Sequence, residues 1–192
     1  MHLDDEELRV RFGPVDFAWR SESGLRDAAV LLPLVRRGDA DRLVFTLRRP
    51  DLAAHAGQIS FPGGAREAGE DPVACALRET EEEIGVAPGA IEVLGRLPDR
   101  VSIAGYLVAP IVARVREEPV YRPLASEVAE IFELPVGPML DATRWSLRPS
   151  THPLARFARI PYLDLDGRTV WGLTGIILRD FVRQAADFDP DA

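Results

Sequence analysis

The sequence predicts an α+β (α/β) sandwich, and three observations lead there. Short apolar runs recur between turn residues, one well-capped helix falls early, and one amphipathic helix falls late. A chain of 192 residues and 21.2 kDa has room for one ordinary domain with modest extensions. Hydrophobic residues make up 46% and charged residues 28%, a globular composition rather than a disordered one.

Taken in order, residues 1–24 are polar and mixed and read as an N-terminal extension. Residues 25–187 form the domain, and 188–192 a C-terminal tail. Residues 28–35 are an unbroken apolar run, the mark of a buried strand, and 43–48 form a second strand after the Gly38-Asp39 turn region. Residues 57–64 read as a short strand ending in Pro62-Gly63-Gly64. Asp71 and Pro72 open a helix as N-cap and first helical residue, and Gly85 suits the left-handed position that closes it. Further strands are expected over 91–97, 106–115, 128–134 and 156–163. Asp166-Gly167 turns the last of them into 168–171, and a final helix covers 174–185.

Composition excludes several classes of function. The run 28–35 contains Pro33 and is too short to span a bilayer, and the acidic start lacks a signal peptide's basic and apolar regions. A single cysteine, Cys75, leaves neither an internal disulfide nor a zinc-knuckle pattern. A cytoplasmic protein with no membrane partner is the expectation. A net charge of -8 disfavours nucleic-acid backbones as partners. All 23 basic residues are arginine, so an anionic ligand would be held by guanidinium forks, a metal ion or backbone amides.

The densest chemistry lies on the early helix. At about 100° per residue, Glu79, Glu82 and Glu83 share one stripe, while Val73, Ala76, Leu77, Thr80 and Ile84 gather on another side. Like charges on one stripe repel by up to about a few tenths of a kcal/mol per pair. Two arrangements tolerate that repulsion: a fully solvated face, or a hard dication bound among the carboxylates. Gly63 and Gly64 would let backbone approach such an ion, and Arg78 can pair with Glu82 or reach back to Glu70. Cys75, one turn before Glu79, reads as a small spacer.

Gly64, Glu70, Arg78, Glu79, Glu82, Glu83, Gly85 and Val86 together resemble the Nudix box, G-x5-E-x7-R-E-U-x-E-E-x-G-U, with Thr80 in place of an aliphatic residue. The resemblance implies a Nudix-type α/β/α sandwich with a mixed β-sheet, its acidic helix carrying the box. It also implies hydrolysis of a nucleoside diphosphate linked to another group, with Mg²⁺ (or Mn²⁺) as cofactor. By the same resemblance Glu79, Glu82 and Glu83 are metal ligands, with a Gly63 or Gly64 carbonyl as a further ligand.

Upstream, Thr46, Arg48, Leu52, His55, Gly57, Gln58 and Phe61 to Gly64 are similar to the signature of the coenzyme A (CoA) pyrophosphatase subgroup. Arg49 and Ala53 depart from it, replacing the usual Ser and Arg. Residues 127–135 and 161–162 with 170–175 also look like this subgroup, so the resemblance covers most of 28–185. It implies cleavage of the CoA diphosphate to 4′-phosphopantetheine and adenosine 3′,5′-bisphosphate, with Arg48, His55, Gly57 and Gln58 on the substrate side. Arg78 supports the carboxylates, and the general base is Glu82, Glu127 or Glu130. Arg20, Arg26, Arg36 and Arg37 are unranked candidates for the 3′-phosphate. Trp171 and Tyr162 are expected to pack rather than stack on adenine. Two alternatives stay open: a Nudix hydrolase of ADP-ribose, another dinucleotide or capped RNA, and a non-catalytic nucleotide sensor, which the retained box carboxylates weigh against.

Overall fold

The computed structural model describes residues 1–52, 56–150 and 158–191. Ahead of the first strand stands helix α1 (Asp5–Phe12). The chain then runs through β1 (Arg26–Arg37), β2 (Ala40–Arg48), β3 (Ile59–Ser60), β4 (Gly63–Ala65) and α2 (Pro72–Ile84). It continues with β5 (Ile91–Arg96), β6 (Arg100–Val101), β7 (Tyr106–Val115) and β8 (Val128–Pro135). The last elements are β9 (Trp145–Pro149), β10 (Arg159–Leu165), β11 (Arg168–Val170) and α3 (Gly172–Ala186).

β1 is buried on both faces, which is why its sequence is apolar without alternation. Ala29 and Leu31 turn toward Val73, Cys75 and Ala76 of α2. Ala28, Leu32 and Leu34 turn the other way, into the cluster holding Ile177, Phe181 and Val182 of α3 and Leu8 and Phe12 of α1. Successive strand residues point to opposite faces, so one strand seats helices on both sides and the mixed sheet lies between them. β1 runs parallel to β7 and antiparallel to β2, and a separate antiparallel sheet joins β9, β10 and β11.

The hairpin of β1 and β2 is splayed. The two pair only beside their turn, from Leu34 with Leu43 to Arg37 with Ala40. Further along, β4 takes over the edge of β1 at residues 28–30, and β3 takes over that of β2 at 46–47. Between these short strands Pro62 lacks an N–H, and its carbonyl instead accepts from Leu31 N at 2.9 Å. The expected single strand over 57–64 is therefore two, and the break delivers Gly63 and Gly64 to the flank of α2.

Three elements lie outside the sequence expectations. β6 is too short to show a pattern. β9 pairs with β10, whose expected start falls partly on residues outside those described. α1 occupies the segment expected as an extension: Asp4 caps it through Glu7 N at 2.9 Å, yet only Leu8 and Phe12 are buried. Two buried apolar residues among charges, with Val10 between them exposed, give almost no helical signal.

That segment is fastened by a buried carboxylate. Asp41 has no exposed surface and accepts from the backbone N–H of Leu3, from Arg114 Nη1 at 2.6 Å and from Arg36 Nε at 3.3 Å. Arg114 in turn reaches Asp5 at 2.7 Å. Burial alone would push the Asp41 carboxyl up, but the Leu3 N–H and the two guanidinium groups outweigh it and hold it below the usual carboxylate range. A depressed folded-state value means the stabilisation is full above the unfolded value of about 3.9 and is lost as pH falls through the folded one. Asp41→Asn should therefore cost about 3–5 kcal/mol at pH 7, as removal of one partner of a buried pair does. Thermal melts should show the gap to wild type closing in strong acid; an equal gap at pH 7 and at pH 2 contradicts this account.

Candidate active site

α2 forms as its punctuation predicts. Asp71 Oδ1 accepts from Ala74 N at 2.8 Å, Pro72 opens the helix, and Gly85 closes it at φ +76°. The departure at Thr80 is benign: the residue is buried, and its hydroxyl donates to Ala76 O at 2.7 Å, leaving no orphan donor. Glu81 points to water, as its position on the helix requires.

The other carboxylates are organised by Arg78. Its guanidinium grips Glu70 at 2.6 and 3.2 Å, a bidentate pairing. Nη1 divides between Glu79 at 2.9 Å and Glu82 at 3.2 Å, and Nη2 also donates to Ala65 O at 3.1 Å. Both pairings open to Arg78 in the sequence are thus made at once. Glu82 is the exposed member of the stripe, its side chain 53% accessible. Glu83 is the buried one, at 5%, and accepts from Gly63 N at 3.2 Å. Gly63 therefore meets the stripe through its N–H. Gly64 lies so close that a Cβ there would fall on the Glu79 carboxylate.

Arg48, at the end of β2, stands over this array. Nη1 lies 3.8 Å from Glu83 and Nη2 3.4 Å from Glu127, while the buried Nε finds no acceptor among the described residues. Glu127 arrives from the chain segment that wraps the end of α2, where Arg122 N and Leu124 N donate to the carbonyls of Ile84 and Glu83 at 2.9 and 3.0 Å. Gln58 is beside Arg48, its carbonyl accepting Arg48 N at 3.0 Å, and Gly57 turns at φ +67° just before it. His55 lies outside the described residues.

Other candidates are placed elsewhere. Glu130 is held by Arg168 at 2.6 Å, Arg36 by Asp41, and Arg37 by Glu133 at 2.7 Å. Arg26 lies over the Tyr106 ring at 4.0 Å, and Arg20 is 3.7 Å from Asp16. Tyr162 and Trp171 stack on each other with ring centroids 5.7 Å apart. The Cys75 thiol is fully buried, and burial followed by the Glu70 charge pushes it up to about 12, so it is an inert spacer. One contact has no counterpart among the motif residues: Trp19 Nε1 donates to Glu70 O at 2.7 Å.

The donor set suits a hard dication: carboxylate oxygens with backbone beside them. Among the described residues no three acidic, histidine or cysteine side chains already converge as a closed chelate, because Arg78 spreads Glu79 and Glu82 along its own edge. Burial, then Glu79 and Glu127, push Glu83 up to about 7 against the Gly63 N–H and Arg48. Glu79 is raised too, by burial first and by the charges of Glu82 and Glu127, against the pull of Arg78. A raised carboxyl destabilises the ion-free fold once pH exceeds the unfolded value of about 4.3, and increasingly until the folded value is passed. Glu83→Gln should accordingly stabilise the ion-free protein at pH 8, by up to about 4 kcal/mol, and leave its stability unchanged at pH 4. Scanning calorimetry at both pH values checks this, and a destabilised variant at pH 8 contradicts it.

The NUDIX domain family model matches residues 25–148. Nudix hydrolase NudL of Escherichia coli strain K12, named as uncharacterized, is 38% identical over 165 residues, which are 83% of this chain and 82% of that one. NudL of Shigella boydii matches to the same extent. Among solved structures, the Nudix hydrolase RenU of M. smegmatis aligns with a TM-score of 0.50 at 24% identity, covering 57% of this chain and 70% of that one. A MutT/nudix family protein from Enterococcus faecalis aligns with a TM-score of 0.53 at 15% identity, covering 86% and 64%. These two carry the fold alone, a mixed sheet with helices on both sides. With the family model spanning most of the chain and relatives at 38% identity, the chain belongs to the Nudix hydrolase family.

Proposed function

We propose that this Nudix hydrolase cleaves the diphosphate of coenzyme A, yielding 4′-phosphopantetheine and adenosine 3′,5′-bisphosphate. One observation carries the substrate reading: Arg48, an arginine of the CoA-type signature, lies 3.8 Å from Glu83 and 3.4 Å from Glu127, and its Nε has no partner among the described residues. A guanidinium there is poised for a substrate phosphate, to which it can offer two parallel N–H bonds. Gln58, whose carbonyl accepts from Arg48 N, and its neighbour Gly57 are assigned to the substrate side with it, and His55 completes the signature.

Glu79, Glu82 and Glu83 would hold Mg²⁺ (or Mn²⁺), with the Gly63 N–H orienting the Glu83 carboxylate beside them. When bound, the dication supplies charge neutralisation and Lewis acidity at the diphosphate. Arg78 keeps the carboxylate rotamers in place from behind, as partners of metal ligands do. Glu127 is the base in this reading: Glu82 accepts from Arg78 at 3.2 Å, whereas Glu127 has the longer contact, 3.4 Å to Arg48. Its carboxylate takes the proton of the attacking water, and Arg48 meets the charge that develops on the phosphoryl oxygens.

Product analysis on CoA, ADP-ribose, NADH and capped RNA in parallel tests the substrate, with fastest Mg²⁺-dependent turnover expected on CoA. Glu127→Gln should lower kcat by about 10²–10⁴-fold. Glu79→Gln should abolish turnover through loss of the ion. Preference for another of the four substrates defeats the CoA reading. Wild-type rates in both variants defeat the assignment of roles.

A further inference from the structure

We infer that Trp19, which precedes the region matched by the family model, is a positioning residue for the carboxylates of α2. The inference rests on the proposed dication site and concerns how that site is kept in shape.

The segment before β1 is bolted to the domain by a buried arginine. Arg96, 7% exposed, gives Nη1 to the carbonyls of Asp16 and Ala18 at 2.6 and 2.7 Å. Its remaining donors all go to Asp99, at 3.2, 2.9 and 2.9 Å. Every N–H of the guanidinium is thereby used, so the backbone just ahead of Trp19 is held without slack. The indole then packs with Val73, Cys75 and Ala76 against the sheet, and its N–H reaches Glu70 O at 2.7 Å. From the other side Arg66 lies over the ring at 5.2 Å, itself held by Asp27 through Nη1 at 3.2 Å and through its backbone N at 3.0 Å.

Glu70 is the residue so fastened, and its side chain is the bidentate partner of Arg78. Arg78 in turn divides its Nη1 between Glu79 and Glu82. Glu70 precedes α2, in a loop with Gly69 at φ +87°, so the helix itself does not hold it. Within its own loop it makes turn contacts with Glu67, at 3.3 Å and 2.9 Å. The indole bond supplies a fixed point to that loop. Through Glu70 and Arg78 it sets where the Glu79 and Glu82 oxygens stand.

Trp19→Phe keeps an aromatic ring in place and removes the N–H, which separates positioning from packing. Calorimetric titration with Mg²⁺ should give a Kd about two- to tenfold weaker than wild type, the range of one hydrogen bond. The melting temperature of the ion-free protein should stay within a few degrees. An unchanged Kd overturns the inference; wild-type protein that takes up no ion overturns the dication site beneath it, a different result. A second measurement needs no substitution. In ¹⁵N-labelled wild type, the Trp19 indole resonance should shift on Mg²⁺ addition while that of Trp145, bonded to Met139 O at 2.8 Å, stays put. A stationary Trp19 resonance also overturns the inference.

Discussion

Mutual repulsion among carboxylates is the constraint on which this molecule's site depends. Glu79, Glu82 and Glu83 share a helical stripe, and Glu127 is brought up against them from another part of the chain. Burial makes the crowding worse, because a half-desolvated carboxylate loses hydration as well as gaining like-charged neighbours. Arginines supply the compensation: Arg78 binds the stripe from one side and Arg48 faces Glu83 and Glu127 from the other. They differ in how fully they are used, Arg78 being saturated and Arg48 loosely engaged.

The fold around the site serves this arrangement. Helices can cover both faces of β1 only because it is apolar on both, and that pins α2 against the sheet. The splay of the β1–β2 hairpin makes room for β3 and β4, and the Pro62 break between them brings the glycines to the carboxylates. A side chain at Gly64 would collide with Glu79, so the close approach depends on glycine. The N-terminal segment is likewise part of the packed structure. Leu3, Leu8 and Phe12 enter the core, and buried ion pairs at Asp41 and Arg96 fasten the backbone on either side of α1.

Local chemistry explains which features are legible in the sequence. α2 announces itself through Asp71-Pro72 and Gly85, and its carboxylate stripe follows from helical spacing alone. β1, β2, β7, β8 and α3 show as apolar runs or an amphipathic repeat, with bounds close to those observed. α1 does not show, because it buries too few residues to imprint a period, and β6 and β9 are too short or too polar to do so. Likewise, the double grip of Arg78 on Glu70 and on the stripe is a choice the sequence leaves open, since one guanidinium could serve either side.

The sequence by itself determined the acidic helix, the residues that share its faces and the glycines before it, because these depend on neighbours within a few positions. Tertiary structure alone decided that Glu127 and Arg48 stand over Glu83, that Glu130 is spent on Arg168, and that Trp19 reaches the Glu70 carbonyl. Those contacts join segments far apart in the chain, and their partners are selected by strand register and by how the chain wraps the helix end. Neither leaves a local periodicity to be read.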